Sequence, residues 1–259
     1  MYPNLIKIFY EPQTEAPFAR NKGLTEAKGE WLQFLDSDDE LLPDKLKHQF
    51  ELIKQNSNID IVVGSFYKLR EGVNALNKKI IHAEHRNPWK GLLKSGLGKT
   101  SSILWKKDVI IAAGGWNEKI SSSQEYDLLF RLLQNNISII YLDKPETNHY
   151  VINNSISRSD NDERMIEILN NYINLRISIK DYLISKGIYS KKMRQAFNTS
   201  IYFKLKPYKK RFPDYVEMKR VELNLKLPVH YVIRENAKKF KIRLKNLIFR
   251  PYKLNELYQ

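Results

Sequence analysis

The sequence predicts an α/β domain followed by a basic α-helical extension, and three observations carry that prediction. Over the first 150 residues, short apolar runs alternate with stretches of helical composition, the pattern of a sheet covered by helices. All ten glycines lie at or before Gly187. The formal net charge of +15 is also unevenly spread. Residues 1–190 carry 25 Lys and Arg against 24 Asp and Glu, whereas residues 191–259 carry 19 against 5. The boundary is therefore placed at residue 187, with the α/β part over 1–187 and the basic helical tail over 188–259.

The elements follow in chain order. Leu5 to Tyr10 predicts a short strand, and Pro12 and Pro17 break the chain after it. Ala19 to Lys28 predicts a helix ended by Gly29. Trp31 to Leu35 is nearly continuous in apolar residues, as in a strand buried on both faces. Pro43 opens a helix through Gln55, since proline is favoured in a first turn. Ile59 to Tyr67 predicts another buried strand, and Ser101 to Trp105 a short one. A helix over Lys106–Ala113 ends at Gly114-Gly115; Gln124–Asn135 is a helix, Ser138–Leu142 a strand, and 161–186 a long amphipathic helix.

Several function classes are excluded or disfavoured. With 42% apolar residues in 259, the chain can bury a core. The absence of cysteine excludes disulfides, a cysteine nucleophile and thiolate-held zinc or iron–sulfur centres. No run approaches the roughly 18 apolar residues of a spanning helix. The first residues lack the apolar core of a secretory signal, so a cytoplasmic location is expected.

The chemistry concentrates after the Trp31–Leu35 strand. Asp36, Asp38 and Asp39 put three carboxylates into four residues, at the strand end where α/β sheets bind ligands. Such a cluster suits Mg²⁺ or Mn²⁺, which take one or two carboxylates together with substrate phosphates. Ser37-x-x-Glu40 equally matches a helix capping box, and from these residues alone both readings stay open.

Ala19-Arg20-Asn21-Lys22-Gly23-Leu24, Ala27-Lys28-Gly29-Glu30, Phe34-Leu35-Asp36-Ser37-Asp38-Asp39 and Pro43 together resemble the middle of a family 2 glycosyltransferase of the GT-A, Rossmann-like fold. Further on, Gly114-Gly115-Trp116-Asn117-Glu118 and Gln124-Glu125-Tyr126-Asp127-Leu128 are similar to that family's acceptor loop and the helix bearing its general base. The resemblance implies a nucleoside diphosphate sugar, with a UDP-sugar first in line, and a divalent ion at Asp36, Asp38 and Asp39. It implies nucleotide-sugar contacts from Arg20, Asn21, Gly23, Asp36 and Ser37, and acceptor contacts from Gly114, Gly115 and Trp116. Glu125 falls at the general-base position, preceded by Gln124, with Asp127 as the fallback. The implied reaction is an inverting transfer to a hydroxyl of a saccharide or lipid-linked acceptor, in cell-surface polysaccharide or glycolipid synthesis.

A third segment, Tyr150 to Arg158, is similar to the family less fully. Asn153 stands where the family carries a histidine, and His149 reads as a structural hydrogen-bonding residue. The family's first nucleotide-binding strands have no counterpart before Met1, which implies an N-terminally incomplete domain and a separate N-terminal half as a partner.

The tail has its own signal. Ile233, Ala237, Phe240, Leu244, Leu247 and Ile248 recur at helical spacing among lysines and arginines. Residues 228–250 therefore suit the anionic inner face of a cell membrane, or packing on the domain itself. No nucleic-acid partner is expected, because no recognition motif accompanies the charge. The rival to the enzyme is a non-catalytic fragment or interaction module.

Overall fold

The computed structural model describes residues 5–56, 58–70, 78–85, 87–151, 159–227, 231–233 and 237. These divide into two compact units, residues 1–200 and 201–259. The composition break at residue 187 falls where a long helix ends, whereas the division between units falls later, inside the next helix.

The first unit is mixed α/β. Helix α1 (Ala16–Glu26) starts with Pro17 in its first turn and leads to strands β1 (Trp31–Gln33) and β2 (Asp39–Leu41). Helix α2 (Lys45–Gln55) then precedes β3 (Ile61–Gly64), β4 (Phe66–Arg70) and β5 (Lys79–Ile81). A short helix α3 (Pro88–Lys94) is capped by the Asn87 side chain, which accepts from the Lys90 amide. A 3-10 turn at Thr100–Ser102 enters β6 (Ile103–Lys106), followed by α4 (Lys107–Ala112) and α5 (Gln124–Gln134). Strands β7 (Ile139–Leu142) and β8 (Thr147–Val151) and helix α6 (Asp162–Ser185) complete the sequence. Gly187, at φ +69°, closes α6 in the left-handed conformation that terminates helices.

Two four-stranded sheets share these strands, in the orders β1-β6-β3-β7 and β2-β8-β4-β5. The chain passes from the first sheet to the second three times: β1 to β2, β3 to β4 and β7 to β8. The pairs β3·β7 and β4·β8 are parallel, and the other pairs are antiparallel. The core includes the first sheet, where Ile61, Val62, Val63, Ile103 and Trp105 are fully buried, and Leu128, Leu129 and Leu132 of α5, which are buried as completely. Helix α6 adds Leu169, Ile173, Ile179 and Leu183. It also buries Arg176, whose guanidinium reaches the Leu93 carbonyl and, at 2.5 Å, the Ser95 hydroxyl beyond α3.

One buried polar network crosses the first unit. Lys45 is 1% exposed. Its ammonium donates to Gln33 Oε1 and, at 2.7 Å, to Gln49 Oε1. Gln33 passes the link on to the Ser101 carbonyl, and Gln49 to the Val62 and Ser102 carbonyls. Burial pushes the Lys45 ammonium down to about 7, against the opposing pull of Glu146.

The α/β class is as the sequence predicts, with four differences in the elements. Pro43 does not open α2: it stands before the Asp44 N-cap, outside the first turn. Leu5–Tyr10 is not a strand: it has no ladder partner among the described residues, and Ile8 is 93% exposed. Apolar composition makes a strand only where a neighbour supplies the hydrogen bonds. Trp31–Leu35 is a half-buried edge strand paired with β6 alone, not one buried on both faces. The Ile59–Tyr67 run serves two sheets. At Ser65, whose amide donates to the Leu142 carbonyl, the chain leaves one ladder for the other.

The second unit follows within α7 (Lys191–Leu205) and contains α8 (Pro213–Glu222), a helix opened by its proline and buried through Val216. The described residues contain no helix long and apolar enough to cross a membrane. Of the amphipathic run over 228–250, only 231–233 and 237 are described, so its membrane face lies outside the described residues.

Candidate active site

Arg20, on α1, joins the parts of the site. Its guanidinium donates to Asp36 Oδ1 at 2.6 Å and to Gln124 Oε1 at 2.8 Å, and lies 4.6 Å over the Trp116 ring. The acidic turn and the first residue of α5 are thereby held by one side chain. Gln124 fills this role as a neutral acceptor, adding no negative charge beside Glu125. Since a guanidinium offers five fixed donors, these contacts leave it donors for an anion.

Asn21 takes a different place from the one expected. Its Nδ2 donates to the Trp116 carbonyl at 2.9 Å and to Glu118 at 2.7 Å, while its Oδ1 accepts from the Trp116 amide at 2.8 Å. The carboxamide is spent on the Gly114-Gly115-Trp116 loop, so it positions that loop instead of a nucleotide. Gly114 and Gly115 sit at φ +82° and +72°, and a Cβ on Gly115 would stand 2.8 Å from Asn21 Oδ1. The close approach requires glycine at 115, and the positive φ favours it at both positions. Trp116 is likewise no open acceptor platform. It is 1% exposed, packed edge-on against Phe34 and Trp105. Gly23 lies on the exposed side of α1, and a Cβ there would meet nothing within 4 Å.

The acidic residues form a turn between β1 and β2, closed by the Asp39 amide donating to the Asp36 carbonyl. This is not a helix cap, because Glu40 lies in β2 and accepts from Asn148 and Tyr150. Ser37 is exposed and Asp38 half-buried. Asp39 turns inward: it pairs in register with His149, whose Nδ1 lies 2.9 Å from Asp39 Oδ1, and the Tyr150 amide also donates to that oxygen. This confirms His149 as a structural hydrogen-bonding residue.

The three aspartates therefore do not converge. Among the described residues no three His, Asp or Glu side chains form a group able to hold a metal ion. Asp39 engages His149 through Oδ1, with its side chain 1% exposed, and its Oδ2 is buried without a hydrogen-bond partner among the described residues. Asp36 and Asp38 are the more open pair. Two carboxylates fit the sparse protein coordination of a Mg²⁺ or Mn²⁺ ion completed by substrate phosphates, but not an all-protein cage.

Glu125 and Asp127 share the first turn of α5, which follows Ser123 at φ +63°. Asp127 is committed to Arg131, 2.8 Å and 3.0 Å from its guanidinium nitrogens, and that arginine also grips the Ala113 carbonyl. Glu125 is the remaining candidate base. Burial raises its carboxyl, but Lys99, 3.2 Å away, and the helix backbone outweigh burial and hold it below the usual carboxylate range. Lys99 in turn is raised, first by Glu125 and then, against burial, by Asp36 and Asp39. Sequence reasoning missed both Lys99 and the structural role of Gln124. Tyr150–Arg158 is described only through Val151, so Asn153 and Arg158 lie outside the described residues.

Comparison with known proteins bears on this arrangement. Residues 2–110 match the profile of the family described as glycosyl transferase family 2. This segment belongs to glycosyl transferase family 2. The match takes in Arg20, the acidic turn and Lys99. An uncharacterized glycosyltransferase of Haemophilus influenzae is 31% identical over 126 residues, 48% of this chain and 42% of its own length. The putative teichuronic acid biosynthesis glycosyltransferase TuaG of Bacillus subtilis is 26% identical over 150 residues, 58% of each chain. Among solved structures, S. aureus TarS 1–349 in complex with UDP-GlcNAc superposes with a TM-score of 0.48 at 14% identity, over 77% of this chain and 64% of that one. The chain thus spans less than half of the Haemophilus relative's length.

Proposed function

We propose that the chain transfers a sugar from a nucleoside diphosphate donor to a hydroxyl acceptor, at the site bounded by Asp36, Arg20, Lys99 and Glu125. The observation that carries this is the double link of Arg20 to Asp36 and Gln124, which brings the acidic turn and the candidate base into one site. Family membership of residues 2–110 supports the donor class. The Bacillus relative, a putative teichuronic acid biosynthesis glycosyltransferase, supports a cell-surface polysaccharide as the product.

In this reading Arg20 and Lys99 supply positive charge for the diphosphate. Asp36 and Asp38 would hold a divalent ion, which when bound neutralises charge on the departing nucleoside diphosphate. Glu125 takes the proton of the acceptor hydroxyl as that oxygen attacks the anomeric carbon, with inversion. A carboxylate held ionised at neutral pH is in the state a base requires. The Gly114-Gly115 loop borders the acceptor side.

Calorimetric titration of UDP into the chain in MnCl₂ tests the reading: saturable binding is expected, and its absence sinks the proposal. The basic tail carries a separate reading, that residues 228–250 hold the enzyme on the anionic inner face of the membrane. Co-sedimentation with phosphatidylglycerol vesicles, lost as salt is raised, is the expected result. Equal binding to neutral phosphatidylcholine vesicles refutes it.

A further inference from the structure

Lys99 belongs to no motif, yet the fold fixes it between the two catalytic segments. The strip Leu97–Ser102 is bolted on both sides. Toward α5, the Tyr126 hydroxyl accepts from the Leu97 amide at 3.1 Å and donates to the Gly98 carbonyl at 3.0 Å. Toward the acidic turn, the Ser101 hydroxyl accepts from the Asp36 amide at 3.1 Å, and the Ser101 carbonyl accepts from Gln33 at 3.0 Å. Within the strip, the Ser102 hydroxyl bonds both the amide and the carbonyl of Lys99. The backbone of Lys99 is therefore anchored to the residue next to Glu125 and to Asp36 itself.

The side chain is held far less firmly than its backbone. Among the described residues its ammonium donates to Glu125 Oε1 alone, at 3.2 Å, and 37% of the side chain is exposed. Arg20 offers the contrast: it is tied to Asp36, Gln124 and the Trp116 face, with 16% of its side chain exposed. An ammonium has three donors on a flexible four-carbon stem, so it can reorient within a small radius. The anions facing it come from both sides: Glu125 from α5, and Asp36 and Asp39 from the turn.

We propose that Lys99 is an exchangeable counter-ion, paired with Glu125 before the donor binds and turned to the donor diphosphate once it has bound, so that donor binding frees Glu125 to act as the base. This rests on the donor class proposed above. The step is an exchange of ion pairs in which no bond is made or broken. Its consequence is order: the carboxylate is neutralised until the diphosphate arrives, and is unpaired when an acceptor hydroxyl needs it. The same exchange makes Glu125 a competitor of the donor for one cation.

That competition can be read without turnover. UDP affinity of the full chain is measured by calorimetry at fixed MgCl₂ for wild type, Lys99→Met, Lys99→Arg, Glu125→Gln and the double variant Lys99→Met/Glu125→Gln, with uridine as a phosphate-free control. Lys99→Met is expected to weaken UDP about tenfold, the loss of one charge-assisted contact. Lys99→Arg restores most of that loss, and uridine affinity stays level throughout. Glu125→Gln tightens UDP severalfold on the wild-type background and less than twofold on the Lys99→Met background. UDP binding that Lys99→Met leaves unchanged, or an equal effect of Glu125→Gln on both backgrounds, overturns the exchange while the transferase reading stands. Failure of wild type to bind UDP overturns both. Retained tryptophan fluorescence and an unchanged urea midpoint confirm that each variant folds, with Lys99→Arg covering any that does not.

Discussion

The buried ammonium of Lys45 makes the stability of the first unit rise with pH. The sign follows from proton counts. The folded state holds Lys45 near 7 and the unfolded chain returns it to 10.5, so between those values the unfolded chain binds more protons and stability increases with pH. At about pH 7 the folded group is half protonated and the unfolded one fully so; integrating to about pH 9.5 gives roughly 3 kcal/mol of added stability from this group. With a urea slope of about 2 kcal/mol/M, the midpoint moves by roughly 1–2 M. All four tryptophans, Trp31, Trp89, Trp105 and Trp116, lie in the first unit, so tryptophan fluorescence reads its unfolding. Other groups also titrate over this range, so the decisive quantity is the difference from Lys45→Met, which lacks the ionisation. Wild type should gain about 3 kcal/mol more than the variant between the two pH values. Parallel pH dependences would show that Lys45 is not held near neutrality by burial, and would refute the reasoning.

Four further substitutions test the site. Glu125→Gln should lower kcat by about 10² to 10⁴, the usual contribution of a general base, without loss of UDP affinity; a transferase assay giving near-wild-type turnover would remove Glu125 from that role. Gly115→Ala places a Cβ 2.8 Å from Asn21 Oδ1 at a φ of +72°, and should cost about 1–3 kcal/mol in urea unfolding; an unchanged midpoint would show that the loop relaxes freely. Asp39→Asn should leave metal-dependent UDP binding within a few-fold of wild type, because the side chain faces His149, whereas Asp38→Asn should weaken it tenfold or more. The reverse order in calorimetry would return Asp39 to the ligand set.

What was legible in the sequence was local. Asp36 to Asp39 stand out because three acids in four residues break an apolar run, and α5 is evident because Tyr126, Leu129 and Leu133 repeat at helical spacing. Lys99 gives no such signal, since its partner lies 26 residues away and a lone lysine in a loop reads as solvated. Trp116 was misread for a related reason. An aromatic residue after two glycines looks like a loop tip, and only the packing of Phe34, Trp105 and Arg20 around it shows that it is core. The split at Ser65 was invisible because Ile61 to Tyr67 is apolar enough for one strand, and the choice of two ladders is made by β7 and β8 alongside. Asn21 matched its motif, but its role depends on a loop 95 residues away.

The passages between sheets have a consequence for how the site breathes. The acidic turn is one of these links, lying between β1 and β2 as Ser65 lies between β3 and β4. A seam that the main chain crosses five times, three of them from the first sheet to the second, cannot open like a hinge at any one crossing without pulling ladder bonds in both sheets. Amides on either side of it, from Val63 and Phe66 to Tyr141 and Asn148, should therefore exchange with deuterium together, by opening of the whole seam. The acidic turn then works as fixed masonry, and motion during turnover is left to side chains such as Lys99 and to whatever enters from solvent.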